Sequence, residues 1–365
     1  MKPRHSTVAL ESIGEMPSFA ARSEFWTELR TRGGEYLASQ GRPSTGDPRA
    51  LRQAAVILLW FALSYGALLC ATSLGLALLA AFSCAFAAAA VGFGVFHDAN
   101  HGTLFRRPAG NVLAARLCSI LLGPSRHLWV RKHGYHHRHA NVFGWDDDLE
   151  TRGLLRLSPD YAWQPRFRRQ ELKAILYYGL NTMEWVFWKD FRSFAMARLN
   201  KWHPLKLDRK EEVEFVICKA LYLILLFLPP FIILPFWWAI AAFILFHLVF
   251  GWVLAAVFQV AHLTLGMGFD GVRAGDDWAM HQVRTSANFA THSRFMTWFT
   301  AGLNHQLEHH LFPNVAHTHY SGLRPIVRAV AQRHGLECHE LGSLPSAVCQ
   351  HFALLKSLGT LPYEV

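Results

Sequence analysis

Two long stretches of this chain contain no Asp, Glu, Lys or Arg: Ala54–Phe96, 43 residues, and Ala220–Phe269, 50 residues. A bilayer core about 30 Å thick takes about 20 helical residues, so each stretch accommodates two membrane-crossing helices and a short turn. A soluble helix marks its solvent face with charge, and neither stretch has such a face. Charged residues are 17% of the chain, where globular chains average about a quarter. Lipid exposure explains that deficit better than an enlarged core. The expected spans lie near 54–72, 74–96, 215–234 and 237–262, with bends at Ala71-Thr72-Ser73 and around Leu234-Pro235.

Basic residues sort around these spans. Lys2, Arg4, Arg22, Arg30, Arg32, Arg42, Arg49 and Arg52 precede the first, and Arg106, Arg107, Arg116, Arg126, Arg131, Lys132 and Arg138 follow the second. The positive-inside tendency then puts both termini and the central region in the cytoplasm. Residues 1–50 read as a cytoplasmic lead-in without a cleavable signal, so the first span serves as its own insertion signal. Phe25-Trp26-Thr27-Glu28-Leu29 suits an amphipathic helix, either on the membrane or on the protein surface. The net charge of +10 flanks apolar spans and accompanies no nucleic-acid recognition module, which makes membrane lipid the partner and excludes nucleic acid. The six cysteines form no CxxC pair and indicate neither a zinc knuckle nor a disulfide framework.

Shorter apolar segments add detail. Val112–Leu122 is half a span long and reads as an interfacial or re-entrant helix, and residues 173–191, rich in Tyr and Trp, suit the membrane interface. Pro229-Pro230 should kink the third span or end it early.

Three histidine clusters sit at or beyond the ends of the apolar segments: His97-Asp-Ala-Asn-His101, His133-Gly-Tyr-His136-His137 and Gln306-Leu-Glu-His309-His310. Side chains three and four apart share a helix face, so each cluster aims its imidazoles at one point. Unless a metal binds them, crowded imidazoles carry a desolvation and charge cost. The topology brings all three clusters to one membrane boundary, where His262 arrives at the end of the fourth span. His247, fifteen residues earlier on that helix, lies about 22 Å away and takes a packing role. His97, His101, His133, His136, His137, His262, His309 and His310 exceed one tetrahedral zinc site and suit two metals. Gln306 is open as a ligand, directly or through water, or as a hydrogen-bond partner. Imidazole alone does not name the metal, but a pair of irons that activates dioxygen accounts for the ligand number better than a zinc lipid hydrolase does.

With these motifs the chain resembles the membrane fatty acid desaturase family, whose boxes read HxxxH, HxxHH and H/QxxHH. The likeness extends through Trp129-Val-Arg-Lys-His133, Asn141, Gly144, Asp146, Asp148, Trp278, His281-Gln282, Gly302-Leu-Asn-His-Gln306-Leu-Glu-His-His-Leu-Phe-Pro313 and His319-Tyr320. It covers roughly residues 51–328, leaving 329–365 as a cytoplasmic tail. The glutamine opening the third box is similar to front-end acyl desaturases and related bacterial enzymes.

The resemblance implies an all-α integral membrane protein of four spans in two hairpins, with a cytoplasmic helical cap carrying the dimetal site. It further implies two non-haem iron ions, dioxygen as co-substrate, and removal of one hydrogen from each of two adjacent acyl carbons. The acyl substrate would be linked to coenzyme A, carrier protein or lipid. Many front-end members carry a fused b-type cytochrome with a His-Pro-Gly-Gly motif; these 365 residues contain none, so electrons are expected from ferredoxin or a b-type cytochrome with its reductase. Hydroxylases, ketolases and acetylenases share the boxes and stay open as alternatives.

Around the ligands, Asp98 and Asn100 are expected to hydrogen-bond near the first box, although Asp98 equally suits a turn cap. Asp146 and Asp148 either orient second-cluster imidazoles or form a solvated turn. His281 and Asn304 are further candidates for supporting the ligands, whereas His139, His305, His317 and His319 read as neighbours. Arg166, Arg168 and Arg169 suit either a carrier phosphate or a lipid surface.

Overall fold

The computed structural model describes residues 16–200 and 202–360. Lys2 and Arg4 of the basic lead-in, and residues 361–365 of the tail, lie outside the described residues. Among the described residues the fold is helical apart from a two-residue parallel pairing of β1 (Ala287–Asn288) with β2 (His339–Glu340) and an isolated bridge between Arg198 and Pro204.

After α1 (Glu24–Ser39) come α2 (Pro48–Leu69) and α3 (Leu74–Asn100), then α4 (Pro108–Leu122), α5 (Arg126–Arg138) and α6 (residues 170–196). The second apolar stretch supplies α7 (Arg209–Ile233) and α8 (Phe236–Phe258). Short helices α9 (Trp278–Thr285), α10 (Arg294–Phe299) and α11 (Gln306–Leu311) precede α12 (Tyr320–Arg333) and α13 (Leu344–Leu358). Four helices, α2, α3, α7 and α8 with its His262 extension, are long and apolar enough to cross a membrane.

Local chemistry sets the span ends. Asp47 caps α2 by accepting the Arg49 N–H at 2.9 Å, with Pro48 at the first helical position, where its missing N–H costs nothing. The first span therefore begins six residues before the charge-free stretch. Ser73 caps α3 across the four-residue bend. Of the two outcomes expected for Pro229-Pro230, a kink or an early end, the early end does not occur, and the third span runs to Ile233. A π-turn at Leu223–Phe227 re-phases the helix, so the prolines open a new α segment, and the break comes at Leu234 instead.

α3 is the central span. Ala85 and Ala87 to Ala90 are fully buried, and their small side chains let α2 and α8 approach closely. Val56, Leu59 and Leu63 on α2 and Val216, Ile217, Ile224 and Ile232 on α7 face outward as a lipid-compatible surface. α1 lies on the cap rather than on a membrane surface: Phe25 and Leu29 are buried against Leu307, Leu311 and Val327. α1 is thus part of the scaffold beneath the third cluster.

Candidate metal centre

Each histidine cluster occupies a helix end that the local sequence defines. α3 finishes through a π-turn, Gly92–His97, which delivers His97 and His101 beyond the apolar segment. Ser125 caps α5, and positions 133, 136 and 137 then fall on one face of that helix. α11 carries Gln306, His309 and His310, all buried.

Tertiary packing divides the eight predicted histidines into two groups. In the first, the ligand atoms of His97, His101, His133, His137 and His309 lie within 4.8 Å of one another; His136, His262 and His310 meet the same criterion in the second. His133 Nε2 is 2.9 Å from His101 Nε2 and 3.0 Å from His137 Nε2. The His137 ring joins the groups, lying 4.6 Å from His309 and stacking on His310 at 4.3 Å between centroids. The Gln306 amide terminus lies 3.0 Å from His262 Nε2, so this residue belongs beside the second group.

Hydrogen bonds on the outer nitrogens decide which lone pairs face inward. His262 Nδ1–H donates to Thr285 O at 2.8 Å, and His310 Nδ1–H donates to Gln282 Oε1 at 2.7 Å. His136 Nδ1 lies 3.1 Å from both Asp146 oxygens, and His309 Nδ1 is 3.1 Å from the Tyr320 hydroxyl. Such bonds fix the tautomer and leave Nε2 as the ligand atom. Nε2 of His309 and His310, both ring nitrogens of His97, His137 Nδ1 and Gln306 Oε1 are buried without a hydrogen-bond partner among the described residues. Unpaired buried acceptors are costly, and metal coordination relieves that cost. The donor set therefore fits two metal ions held chiefly by imidazole.

Electrostatics agree with ligation. Burial first, then repulsion from neighbouring imidazoles, holds His133 and His137 well below the ordinary histidine range. The same causes act on His309 and His310. These rings are neutral near pH 7, as metal ligands must be. His136 differs: burial pushes it down, but the Asp146 carboxylate, with Asp148 beside it, raises it above its ordinary value.

The remaining predicted residues fall at varied distances from the ligands. Asp146 bonds His136, accepts the Asn141 N–H at 2.9 Å and caps the turn at Asp147–Leu149. Asp148 lies 3.5 Å from His136 Nδ1 and pairs with Lys132 at 2.6 Å. Asp98 bonds His317 at 2.6 Å, and His317 reaches Gln53 at 3.0 Å, bracing the first cluster from behind.

Asn100 turns back to Phe96 O, Asn304 braces Thr297, Thr300 and Ala290 O, and His281 bonds Ala140 O. None of the three reaches a ligand nitrogen, because helix and turn geometry aims them at nearby backbone or hydroxyl groups. His139 and His319 bond Pro17 O and Pro43 O, and His305 approaches Thr297 and Ser321. His247 bonds Thr182 Oγ1 at 3.0 Å inside the helix packing.

Two residues that bond the clustered imidazoles, Gln282 and Tyr320, entered the sequence reading only as part of the family likeness, with no role assigned. Gln282 lies beside the favoured His281, and Tyr320 beside His319; only contact order across the fold distinguishes each from its neighbour. Trp129, quoted in the same likeness, stacks on His133 at 4.1 Å.

A cavity of about 120 Å³ adjoins the centre. His133, His136 and His262 form one end, Trp185, Leu254 and Phe258 an apolar wall, and Lys132 and Lys189 a polar rim paired with Asp148 and Asp147. Arg166, Arg168 and Arg169 are exposed on the chain leading into α6.

Comparison with known proteins adds to this geometry. A family model described as fatty acid desaturase matches residues 71–342. The chain is 29% identical over 356 residues to the sn-1 linoleoyl-lipid 6-desaturase of Synechocystis sp., covering 94% of this chain and 98% of that protein. It is 28% identical over 359 residues to the acyl-lipid (8-3)-desaturase of Physcomitrium patens, covering 95% and 74% respectively. An acyl-lipid (7-3)-desaturase of Rebecca salina shows 30% identity over 287 residues, 75% of this chain and 62% of that protein.

Proposed function

Because the chain belongs to the fatty acid desaturase family, a family of oxidoreductases, we propose that it inserts a double bond into a lipid-linked fatty acyl chain at two non-haem irons, consuming dioxygen. Fatty acid desaturation by a membrane enzyme is the family activity; the metal, the carrier of the acyl group and the electron source are the finer reading. The carrying observation is the convergence of eight imidazoles, five buried and three partly buried, in two adjoining groups beside a cavity.

In this reading His97, His101, His133, His137 and His309 hold one iron, and His136, His262 and His310 with Gln306 hold the other. When bound, the irons would supply the redox capacity to reduce one dioxygen to two waters, taking two electrons from the carrier, two protons from solvent and the two hydrogens removed from adjacent acyl carbons. The protein orients. Asp146, Thr285 O, Gln282 and Tyr320 keep inward lone pairs in place, Trp129 packs against the His133 ring, and Trp185, Leu254 and Phe258 provide a dry wall for the methylenes.

The names of the relatives support a lipid-linked substrate. The electrons come from a protein carrier outside these residues, which contain no His-Pro-Gly-Gly motif. The charge distribution around the spans supports a cytoplasmic face for the centre and both termini.

Expression in a host of known lipid content, followed by mass-spectrometric location of double bonds, tests the reaction. A new oxygen-dependent double bond and about two irons per chain are expected. A zinc-bound protein whose turnover persists without oxygen would overturn the reading, and a hydroxylated product would redirect it within the oxidant class.

A further inference from the structure

α7 carries a lysine at the edge of its charge-free stretch, buried in the helix packing. Lys219 lies ten residues into the helix, about 15 Å from its start, and only 4% of its surface is exposed. A long lysine side chain ordinarily extends toward water; this one turns inward. Its ammonium donates to Gly123 O at 2.6 Å and Val186 O at 2.9 Å, and it pairs with Asp190 Oδ2 at 2.8 Å. All three donors are used, and the ammonium also lies 5.1 Å from the Phe191 ring centroid.

The acceptors belong to different parts of the machinery. Gly123 ends α4 with φ +90°, and a Cβ there would meet Val186 Cγ1 at 2.6 Å, so the turn packs directly on the Val186 side chain of α6. Val186 lies in the π-turn Trp185–Lys189, where the Asp190 N–H reaches back to Trp185 O and Val186 O receives the lysine. Asp190 also accepts the Ser125 N–H at 2.7 Å. Ser125 caps α5, the helix that carries His133, His136 and His137. The π-turn contributes Trp185 and Lys189 to the cavity.

We propose that Lys219, acting through Asp190, is a positioning residue: it locks the start of the histidine-bearing α5 to the cavity-lining π-turn, so metal ligands and acyl wall hold a fixed separation. A packed apolar pair would fill the same space without tying three backbone segments to one atom. The consequence for double-bond position rests on the desaturase reading; the consequence for metal binding does not.

The test uses the full chain in detergent. Lys219→Met alone strands a buried carboxylate and is expected to lower the folded yield. The informative variant is Lys219→Met with Asp190→Leu, which removes both charges. It is expected to melt cooperatively, bind Co²⁺ at least about tenfold more weakly with altered visible ligand-field bands, and spread double bonds onto neighbouring carbons. A folded double variant with the parent's Co²⁺ affinity, bands and product position would overturn the proposal.

Should that variant not fold, Asp190→Asn is read by the same measures, since it keeps the volume and an acceptor for Ser125; parental values there overturn the proposal equally. If the parent binds Co²⁺ yet makes no new double bond, the desaturase reading fails, and the cobalt measurements alone decide the role of Lys219.

Discussion

The two histidine groups are ordered by different means. The group of five has ligands in excess and few outer bonds: His309 has Tyr320, whereas neither nitrogen of His97 has a hydrogen-bond partner among the described residues. The group of three has fewer imidazoles, but each is held from outside, by Asp146, Thr285 O or Gln282. Number supplies order in one, hydrogen bonding in the other. Preorganisation by outer bonds matters most where few ligands share the metal.

Five experiments break or sharpen that contrast. His137→Ala, which removes the ring between the groups, should abolish product and empty both groups of metal by elemental analysis. His262→Ala should empty the group of three while the group of five keeps its ion; equal loss from both would end the distinction. Asp146→Asn should weaken metal binding in the group of three by about 10–100-fold, read by competition with a chelator.

Acid should also separate the groups. Asp146 raises His136 above the ordinary histidine value, so protons compete for it from above pH 6.5 downward. Burial keeps His133, His137 and His309 neutral to lower pH. Stepwise acidification should release the ion of the three before that of the five, and the reverse order would contradict the assignment. Smallest of all, Tyr320→Phe removes one outer bond where ligands are plentiful. It should cost about 1 kcal/mol, roughly fivefold in metal affinity; an effect as large as that of Asp146→Asn would erase the contrast.

Legibility in the sequence followed the range of the physics. The absence of charge over Ala54–Phe96 and Ala220–Phe269 is a local fact about solvent, and four long helices occupy those stretches. Histidine spacing is equally local, since it depends only on helix pitch. Pro229-Pro230 left a kink and an early end both open, because the π-turn just upstream has no composition signal of its own. The lead-in helix α1 has an amphipathic pattern, but the pattern does not say whether membrane or cap covers Phe25 and Leu29. His281 drew attention by residue type, whereas Gln282 touches the ligand because of the face α9 presents to α11.

By itself, then, the sequence determined a membrane-crossing helical protein with three histidine clusters, because solvent preference and helical periodicity act within a few turns of chain. Only the tertiary structure decided the rest. The division of the imidazoles into five and three, the partner of each outer nitrogen, and the placement of Lys219 between α5 and the cavity wall are contacts between residues far apart in the chain. Backbone packing sets these contacts to within a hydrogen bond's length, and no local pattern encodes that distance.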